Sequence, residues 1–276
     1  MQFHFNLKRW FYLALFVAGM LSLNACSSPK PSVTANNINP YQPQPYVQLS
    51  HPEWSKNAAV YQINIRQFTA QGTFSAAAEQ LNRLKDLGVK ILWLMPVQPI
   101  GKVNRKGSLG SYYSVQDYLA INPEFGTLAD FNATVDQAHA LGIKVLIDYV
   151  PNHSGADHPW LTTHPDFYEK DSTGKPTFTA DWSDTRELNF ENREMQDSMI
   201  NTMKFWVNKT KIDGFRIDVA WGVPNTFWTR CLNDLKSIRP LFFLAEADDA
   251  PLHNAGFDAT YKLVYRNKGN QIGNGN

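Results

Sequence analysis

The fold is decided by one stretch of the sequence, Gly214-Phe215-Arg216-Ile217-Asp218-Val219-Ala220. Side chains alternate between the two sides of a strand, so Arg216 and Asp218 point one way and the apolar side chains between them point the other. A strand that is apolar outside and polar inside, with a carboxylate at its C-terminal end, is typical of a parallel barrel whose active site lies at that end. A buried Arg-Asp ion pair joining two elements explains the stretch alone equally well, and the neighbouring sequence must decide.

Length and composition indicate a globular protein with one large core. The 276 residues are 43% hydrophobic and 18% charged, which excludes a disordered chain. The net charge of +1 produces no extended field of one sign, so nucleic acid is not an expected partner. The aromatic content of 13%, with eight Trp, suits stacking on sugar rings, although core packing explains most aromatic residues in any protein.

The N-terminus has the pattern of an export signal. Lys8 and Arg9 precede an apolar run, 10–23, which is short for a membrane span. The apolar run is followed directly by Leu-Asn-Ala-Cys at 23–26, which resembles a bacterial lipobox, in which Cys26 becomes the lipidated first residue of the mature protein. An ordinary cleaved signal with a chance cysteine is the alternative.

We therefore predict an exported lipoprotein that its acylated Cys26 anchors in a membrane, in the cell envelope or at the cell surface. Residues 1–25 form the predicted signal peptide, and residues 26–50, rich in Ser, Pro, Asn and Gln, form a flexible tether. The domain then occupies residues 51–276. The second cysteine, Cys231, is expected to be a small buried side chain on a helix.

From about residue 60 the sequence alternates between short apolar strands, predicted at 60–65, 89–94 and 143–149, and amphipathic helices, predicted over 74–87 and 127–141. Two helix-to-strand junctions, 87–92 and 141–146, are near copies of each other, as repeated βα units require. After residue 150 the regular spacing of apolar residues is lost over a segment far longer than an ordinary βα loop. We therefore predict a small inserted subdomain at 154–192, after the third strand. Its aromatic residues either line a cleft or form the core of the insertion. The expected fold class is α/β, an incomplete (β/α)8 barrel of about five to six βα units.

Three predicted strands end in a carboxylate, at Asp148, Asp218 and Glu246. In a parallel barrel such ends converge on one face, so acids that are distant in sequence can meet. Crowded carboxylates push their pKa values apart, which provides the protonated acid and the ionised nucleophile that glycosidic bond cleavage requires. A metal site is the other use of converging carboxylates, and the pattern fits both.

The motifs around these acids resemble those of the α-amylase family of retaining glycoside hydrolases. Residues 148–153, 214–220 and 243–247 are similar to three family motifs, in the same order and each at a strand end. Residues 113–118 and 122–127 resemble the second βα loop of the family, and the similarity runs from about residue 51 to 262. The resemblance implies hydrolysis of α-1,4-glucans, such as starch and maltooligosaccharides, through a covalent glycosyl intermediate.

Position by position, the resemblance implies that Asp218 is the nucleophile and Glu246 the general acid/base. Arg216 would belong to the substrate-binding site and keep Asp218 ionised through a charge-assisted hydrogen bond. His153 would bind hydroxyl groups of the sugar, and Tyr113 would stack beneath its ring. For an isolated histidine a structural role is the alternative, and the Asn-His ending of the first motif favours the functional one.

The resemblance also implies a structural role for Asp148, which would orient the site from below. Asn152 matches a residue that ligates calcium in many family members, and its hard oxygen suits that ion. Calcium is thus the only cofactor expected. The second motif departs from the family at Ala220-Trp221, where Lys-His is often found.

A second departure concerns the third acid of the family, an Asp preceded by His near the seventh strand. None of the seven His residues is followed by Asp. Residues 262–276, rich in Asn and Gly, are predicted to be a disordered tail. Because a closed barrel has eight βα units, we expect a C-terminally truncated catalytic barrel that hydrolyses slowly or not at all. A non-catalytic surface lipoprotein that binds glycans is the alternative function, and transglycosylation is a third.

Overall fold

The computed structural model describes residues 50–261 together with 269 and 270. The predicted signal peptide, the predicted lipidation site Cys26 and most of the predicted tail, 262–276, lie outside the described residues. The described elements belong to one compact unit of the chain, Val47–Asn276. Within the ranges that the structure describes, no helix combines the length and the apolar character needed to cross a membrane.

The main sheet of the described chain is parallel and has six strands. In chain order all strands are β1 (Ala59–Ile63), β2 (Val89–Leu94), β3 (Lys144–Tyr149), β4 (His153–Gly155), β5 (Thr185–Glu187), β6 (Gly214–Ile217), β7 (Phe242–Ala245) and β8 (Ala259–Thr260). The main sheet has the order β1-β2-β3-β6-β7-β8, with parallel pairing throughout. This arrangement confirms the predicted α/β class and partial (β/α) barrel.

Helices connect the parallel strands, as crossovers between such strands require. In chain order they are α1 (Ile65–Phe68), α2 (Phe74–Ala78), α3 (Leu81–Asp86), α4 (Leu128–Ala140), α5 (Trp160–Thr163), α6 (Arg193–Lys209), α7 (Asn225–Ile238) and α8 (Pro251–Asn254). A capping box of Thr127 and Asp130 begins α4, and the Asn192 side chain caps α6. These caps satisfy backbone N–H groups that a helix start leaves free.

Side-chain alternation along the strands separates two apolar clusters. On the outer face, strand residues such as Ile147 and Phe215 share the large core with helix residues such as Met203. On the inner face, a small cluster contains Ile91, Leu146 and Phe242. On β3 and β6, the next inner-face positions toward the C-terminal ends hold the polar residues Asp148 and Arg216.

Two boundaries predicted near the start of the domain are wrong. The first strand ends at Ile63 and not at Ile65, because Ile65 already begins helix α1. The single helix predicted over 74–87 is divided into α2 and α3. The amide of Gln80 donates to the Ala77 carbonyl at 3.0 Å, and this i to i−3 bond tightens the chain between the two helices.

Between β3 and α6 the chain forms a separate antiparallel sheet of β4 and β5. Phe167 and Tyr168 are buried in this segment, and the ring of Trp160 lies 5.4 Å from that of Phe167. Phe167 and Tyr168 belong to the same large core as the helices and strands of the main sheet, and Trp160 packs against that core. Trp182 differs, because it lines a cleft at the end of the main sheet.

Gly214 lets β6 and β7 approach each other closely. Its φ is +155°, and a Cβ there would lie 1.8 Å from the carbonyl oxygen of Phe242.

Gly214→Ala is therefore expected to lower the free energy of unfolding by about 3 kcal/mol or more, measured by urea unfolding. Gly88→Ala is the matched control, since Gly88 has a φ of +83° but no atom within 4 Å of its added Cβ. A loss of about 1 kcal/mol is expected for the control. Equal losses in the two variants would contradict the role of close strand approach.

Candidate active site

Three neighbouring strands bring acidic residues to one edge of the main sheet. Asp148 lies on β3, and the register places it beside Arg216 of β6. Asp218 and Glu246 follow the ends of β6 and β7. Their backbone amides still donate to the neighbouring strand, at 2.8 and 2.9 Å, so the strand geometry extends as far as both carboxylates. The structure thus brings the three acids together at the C-terminal edge.

Arg216 joins the three carboxylates. Its Nη1 donates to Asp148 Oδ1 at 2.8 Å and to Asp218 Oδ1 at 2.9 Å. Its Nη2 lies 2.9 Å from Glu246 Oε1. The Arg216 side chain is 4% exposed, so solvent screens these interactions little. Because the guanidinium is a rigid planar fork, it holds the carboxylates of Asp218 and Glu246 close to one another.

Asp148 is fully buried and binds three side chains. Besides the Arg216 contact, its Oδ2 accepts from Trp93 Nε1 at 3.1 Å and from the Tyr113 hydroxyl at 3.3 Å. Burial raises the pKa of Asp148 to about 6, against the lowering effect of Arg216. These contacts hold the side chains of Arg216 and Tyr113 against Asp148; its structural role stays a prediction.

Asp218 is buried, and the turn after it positions Glu246. Burial, and then the charge of Asp148, raise the pKa of Asp218 well above its usual value, while Arg216 opposes this shift. Val219 follows in the left-handed region with a φ of +46°, which is strained for a β-branched residue. The Val219 N–H donates to Glu246 Oε2 at 3.0 Å. The strained turn is therefore part of the site.

His153 is buried and keeps a neutral ring. Burial lowers the pKa of His153 to about 4, so its imidazole carries no charge near pH 7. Its Nδ1 lies 3.2 Å from the amide nitrogen of Asn152, and its ring lies 5.5 Å from that of Trp182. A neutral imidazole held in this way can exchange hydrogen bonds with sugar hydroxyl groups.

A cleft of about 440 Å³ contains the carboxylates of Asp218 and Glu246. Its volume lies in the range of small-molecule sites. Both aromatic rings and polar groups line it, a combination that suits a ligand with apolar faces and hydroxyl edges. The lining residues are Lys106, Ser111, Tyr113, His153, Trp182, Asp184, Thr185, Asp218, Val219, Trp221, Glu246, Ala247 and Asp248.

Sequence comparison shows the family of this chain. The family model described as the alpha amylase catalytic domain matches residues 53–183 and 169–234. The chain belongs to the α-amylase family. Alpha-amylase 3 of Dictyoglomus thermophilum is 30% identical over 256 residues, which cover 81% of this chain and 48% of that protein.

Two α-amylase structures are similar in fold and in sequence. An α-amylase from Lactobacillus plantarum is 36% identical with a TM-score of 0.76, over 79% of this chain and 56% of that one. A maltogenic α-amylase from Thermotoga neapolitana is 34% identical with a TM-score of 0.77, over 80% and 53% respectively. The chain therefore spans about half the length of these α-amylase relatives.

The α-amylase resemblance implies calcium at Asn152. A second cavity, of about 290 Å³, borders Asn152 together with Glu169, Glu187 and Glu191. In the part of the chain that the structure describes, no group of three or more His, Cys, Asp or Glu side chains converges as a metal site. The amide nitrogen of Asn152 is directed at His153. Calcium ligation by Asn152 stays a prediction.

Motifs of the α-amylase family do not reveal two aromatic residues at this site, Trp93 and Tyr261. The Arg216 guanidinium lies 5.0 Å from the ring centroid of Trp93 and 5.7 Å from that of Tyr261. Arg216 Nε also donates to the Tyr261 hydroxyl at 3.2 Å. Trp93 and Tyr261 follow the inner-face residues Ile91 and Ala259 by two positions. Side chains alternate between the two faces of a strand, and this rule holds for strands without acidic residues too. Applied to every strand, it identifies Trp93 and Tyr261 as inner-face residues.

Proposed function

We propose that this chain is the catalytic part of a retaining glycoside hydrolase that cleaves α-1,4-glucans such as starch and maltooligosaccharides. One observation carries the proposal: a single guanidinium, that of Arg216, contacts Asp218 and Glu246 at 2.9 Å each. A retaining glycosidase holds its two carboxyl groups roughly 5 to 5.5 Å apart, and an inverting one holds them further apart. Asp218 and Glu246 contact neighbouring nitrogens of the same guanidinium, which supports the shorter separation of a retaining enzyme.

In the proposed first step, Asp218 is the nucleophile and Glu246 the acid. Glu246 donates its proton to the glycosidic oxygen while a carboxylate oxygen of Asp218 attacks the anomeric carbon. The bond between that carbon and the glycosidic oxygen breaks, and the leaving part of the glucan departs with the proton. The enzyme then holds the remaining sugar as an ester of Asp218. Arg216 supports this step because its charge favours the ionised form of Asp218 before the attack.

In the second step, the Glu246 carboxylate acts as a base. It takes a proton from water, whose oxygen attacks the anomeric carbon as the ester bond to Asp218 breaks. Two inversions leave the product with the α configuration of the substrate. The hydrogen bond from the Val219 N–H to Glu246 supports both steps, because it keeps the carboxylate at one place in the cleft.

The remaining proposed roles concern binding and location. Tyr113 stacks beneath the sugar ring and His153 binds its hydroxyl groups, and their positions in the cleft support these roles. An α-glucan is the proposed partner. Calcium held with the help of Asn152 is a proposed structural cofactor, to which no step is assigned. Attachment to a membrane through a lipid on Cys26, after export, is proposed from the sequence pattern alone.

The anomeric form of the first products tests this function. The full chain is incubated with maltohexaose, and the anomeric protons are followed by NMR during the first minutes. Shorter maltooligosaccharides are expected to appear first as α-anomers. Initial β-anomers would contradict the retaining assignment. Products longer than maltohexaose would show transglycosylation, and binding of maltohexaose without any product would support the glycan-binding function that the sequence leaves open.

A further inference from the structure

Trp221 is an exposed aromatic residue at the cleft. It is 63% exposed, although its neighbours Ala220 and Val223 are buried. It lines the cleft that contains Asp218 and Glu246. A large apolar side chain exposed beside a concave site, rather than on an open surface, is typical of a ligand contact.

The turn that carries Trp221 is held rigidly from several sides. The buried Trp228 Nε1 donates to the Ala220 carbonyl at 3.0 Å, and the Gly222 amide donates to the Val219 carbonyl at 2.9 Å. A Cβ on Gly222 would lie 2.6 Å from the side-chain oxygen of Asn152, so the turn lies directly against β3's loop. The backbone that carries Trp221 is thus already ordered before a ligand binds, so binding costs less conformational entropy.

The same turn holds the proposed acid/base. Val219, two residues before Trp221, donates its N–H to Glu246 at 3.0 Å. The acid/base protonates the glycosidic oxygen, so it lies on the side of the sugar that leaves. Tyr113 and His153, by contrast, lie in the segments that follow β2 and β3, and these two strands are on the other side of β6 from β7 in the strand order. Trp221 is therefore placed beside the leaving sugar.

We propose that Trp221 stacks on the sugar ring on the leaving-group side of the cleft and so determines how well the site holds an incoming sugar. The proposal rests on the proposed function. Aromatic rings bury the apolar faces of ligands over a large area at a low entropic cost. A sugar held there offers its hydroxyl to the ester of Asp218. Glu246 takes the hydroxyl proton, the new bond to the anomeric carbon forms, and the bond to Asp218 breaks. Trp221 thereby favours transfer to a sugar over transfer to water.

Substrates with and without a leaving sugar test the position of Trp221. In maltotetraose a sugar leaves, whereas in α-maltosyl fluoride the leaving group is fluoride and does not reach Trp221. Trp221→Ala is expected to raise KM for maltotetraose about tenfold and to leave kcat/KM for α-maltosyl fluoride within twofold of the parent. Trp221→Phe is expected to restore most of the loss. The matched control is Leu87→Ala, because Leu87 is also 63% exposed but does not line the cleft.

A binding measurement on the full chain keeps this inference separate from the proposed function. In an Asp218→Asn background, which prevents turnover, calorimetric titration with maltohexaose is expected to show a Kd about tenfold higher with Trp221→Ala than without it. If this difference appears but no enzyme form turns over substrate, the catalytic proposal fails and the Trp221 contact stands. If Kd is unchanged, or if Leu87→Ala produces the same loss, the Trp221 contact is overturned. Equal losses on maltotetraose and α-maltosyl fluoride would overturn its placement beside the leaving sugar.

Discussion

Asp218→Asn is expected to lower kcat/KM for maltohexaose by at least about 10⁴-fold, because a neutral amide cannot form the ester intermediate. Asparagine has nearly the shape of aspartate, so the contacts of Arg216 with Asp148 and Glu246 persist. The far-UV circular dichroism spectrum should therefore be unchanged. A large loss of activity in a folded variant separates the chemical role of Asp218 from its part in the buried ion pairs.

Mass spectrometry measures the intermediate directly. With a 5-fluorinated maltosyl fluoride, whose ester hydrolyses slowly, the anomeric fluoride leaves and the parent chain should gain one 5-fluorinated maltosyl unit on the peptide that contains Asp218. Asp218→Asn should gain none. Asp136→Asn is the matched control, because the Asp136 side chain is 53% exposed and pairs with Lys211 on the surface. This control should retain activity within twofold. An adduct on another residue, or more than a tenth of the parent activity in Asp218→Asn, would remove Asp218 from the role of nucleophile.

Arg216→Ala is expected to lower the free energy of unfolding by about 3–5 kcal/mol at pH 7, because three carboxylates lose their shared cation. Arg216→Lys should recover part of this loss, since a lysine keeps the charge but cannot contact three acids with a planar fork. The matched control is Arg230→Ala. Arg230 is 20% exposed and pairs with Asp197 at the surface, so about 1 kcal/mol or less is expected.

The loss in Arg216→Ala should depend on pH. Burial raises the pKa of Asp148 from 3.8 to about 6 in the folded chain. The proton bound to Asp148 therefore stabilises the folded chain. This contribution to the free energy of unfolding is fully present below the pKa of 3.8 that Asp148 has in the unfolded chain, and it is lost as pH rises through the folded pKa of about 6. Without Arg216, which lowers the pKa values of Asp148 and Asp218, ionisation costs more. The difference between parent and variant should therefore be large at pH 7 and small at pH 4.5, as measured by urea unfolding. A difference that does not vary with pH would mean that packing, and not charge, explains the loss.

Much of the fold follows from local patterns in the sequence. Strands 89–94 and 143–149, with the helix between them, are predicted nearly to the residue, because a buried strand and an amphipathic helix each leave a periodic apolar signal. The helix predicted over 74–87 is divided in the structure. The division lies at Gln80, whose amide donates to the Ala77 carbonyl, and the spacing of apolar side chains gives no sign of this backbone bond. The same local rule places Asp148 and Arg216 on one face of the sheet.

The sequence by itself determined the parallel α/β class, the inward face of the strands and the residues that resemble α-amylase motifs. These properties depend on neighbours along the chain. Only the tertiary structure decided that one guanidinium, that of Arg216, holds Asp218 and Glu246, and that Trp93 contacts it from another strand. It also decided that Trp221 stands exposed at the cleft. Such contacts join residues far apart in sequence, and their distances are set by strand order, register and a strained turn, which leave no periodic trace in the chain.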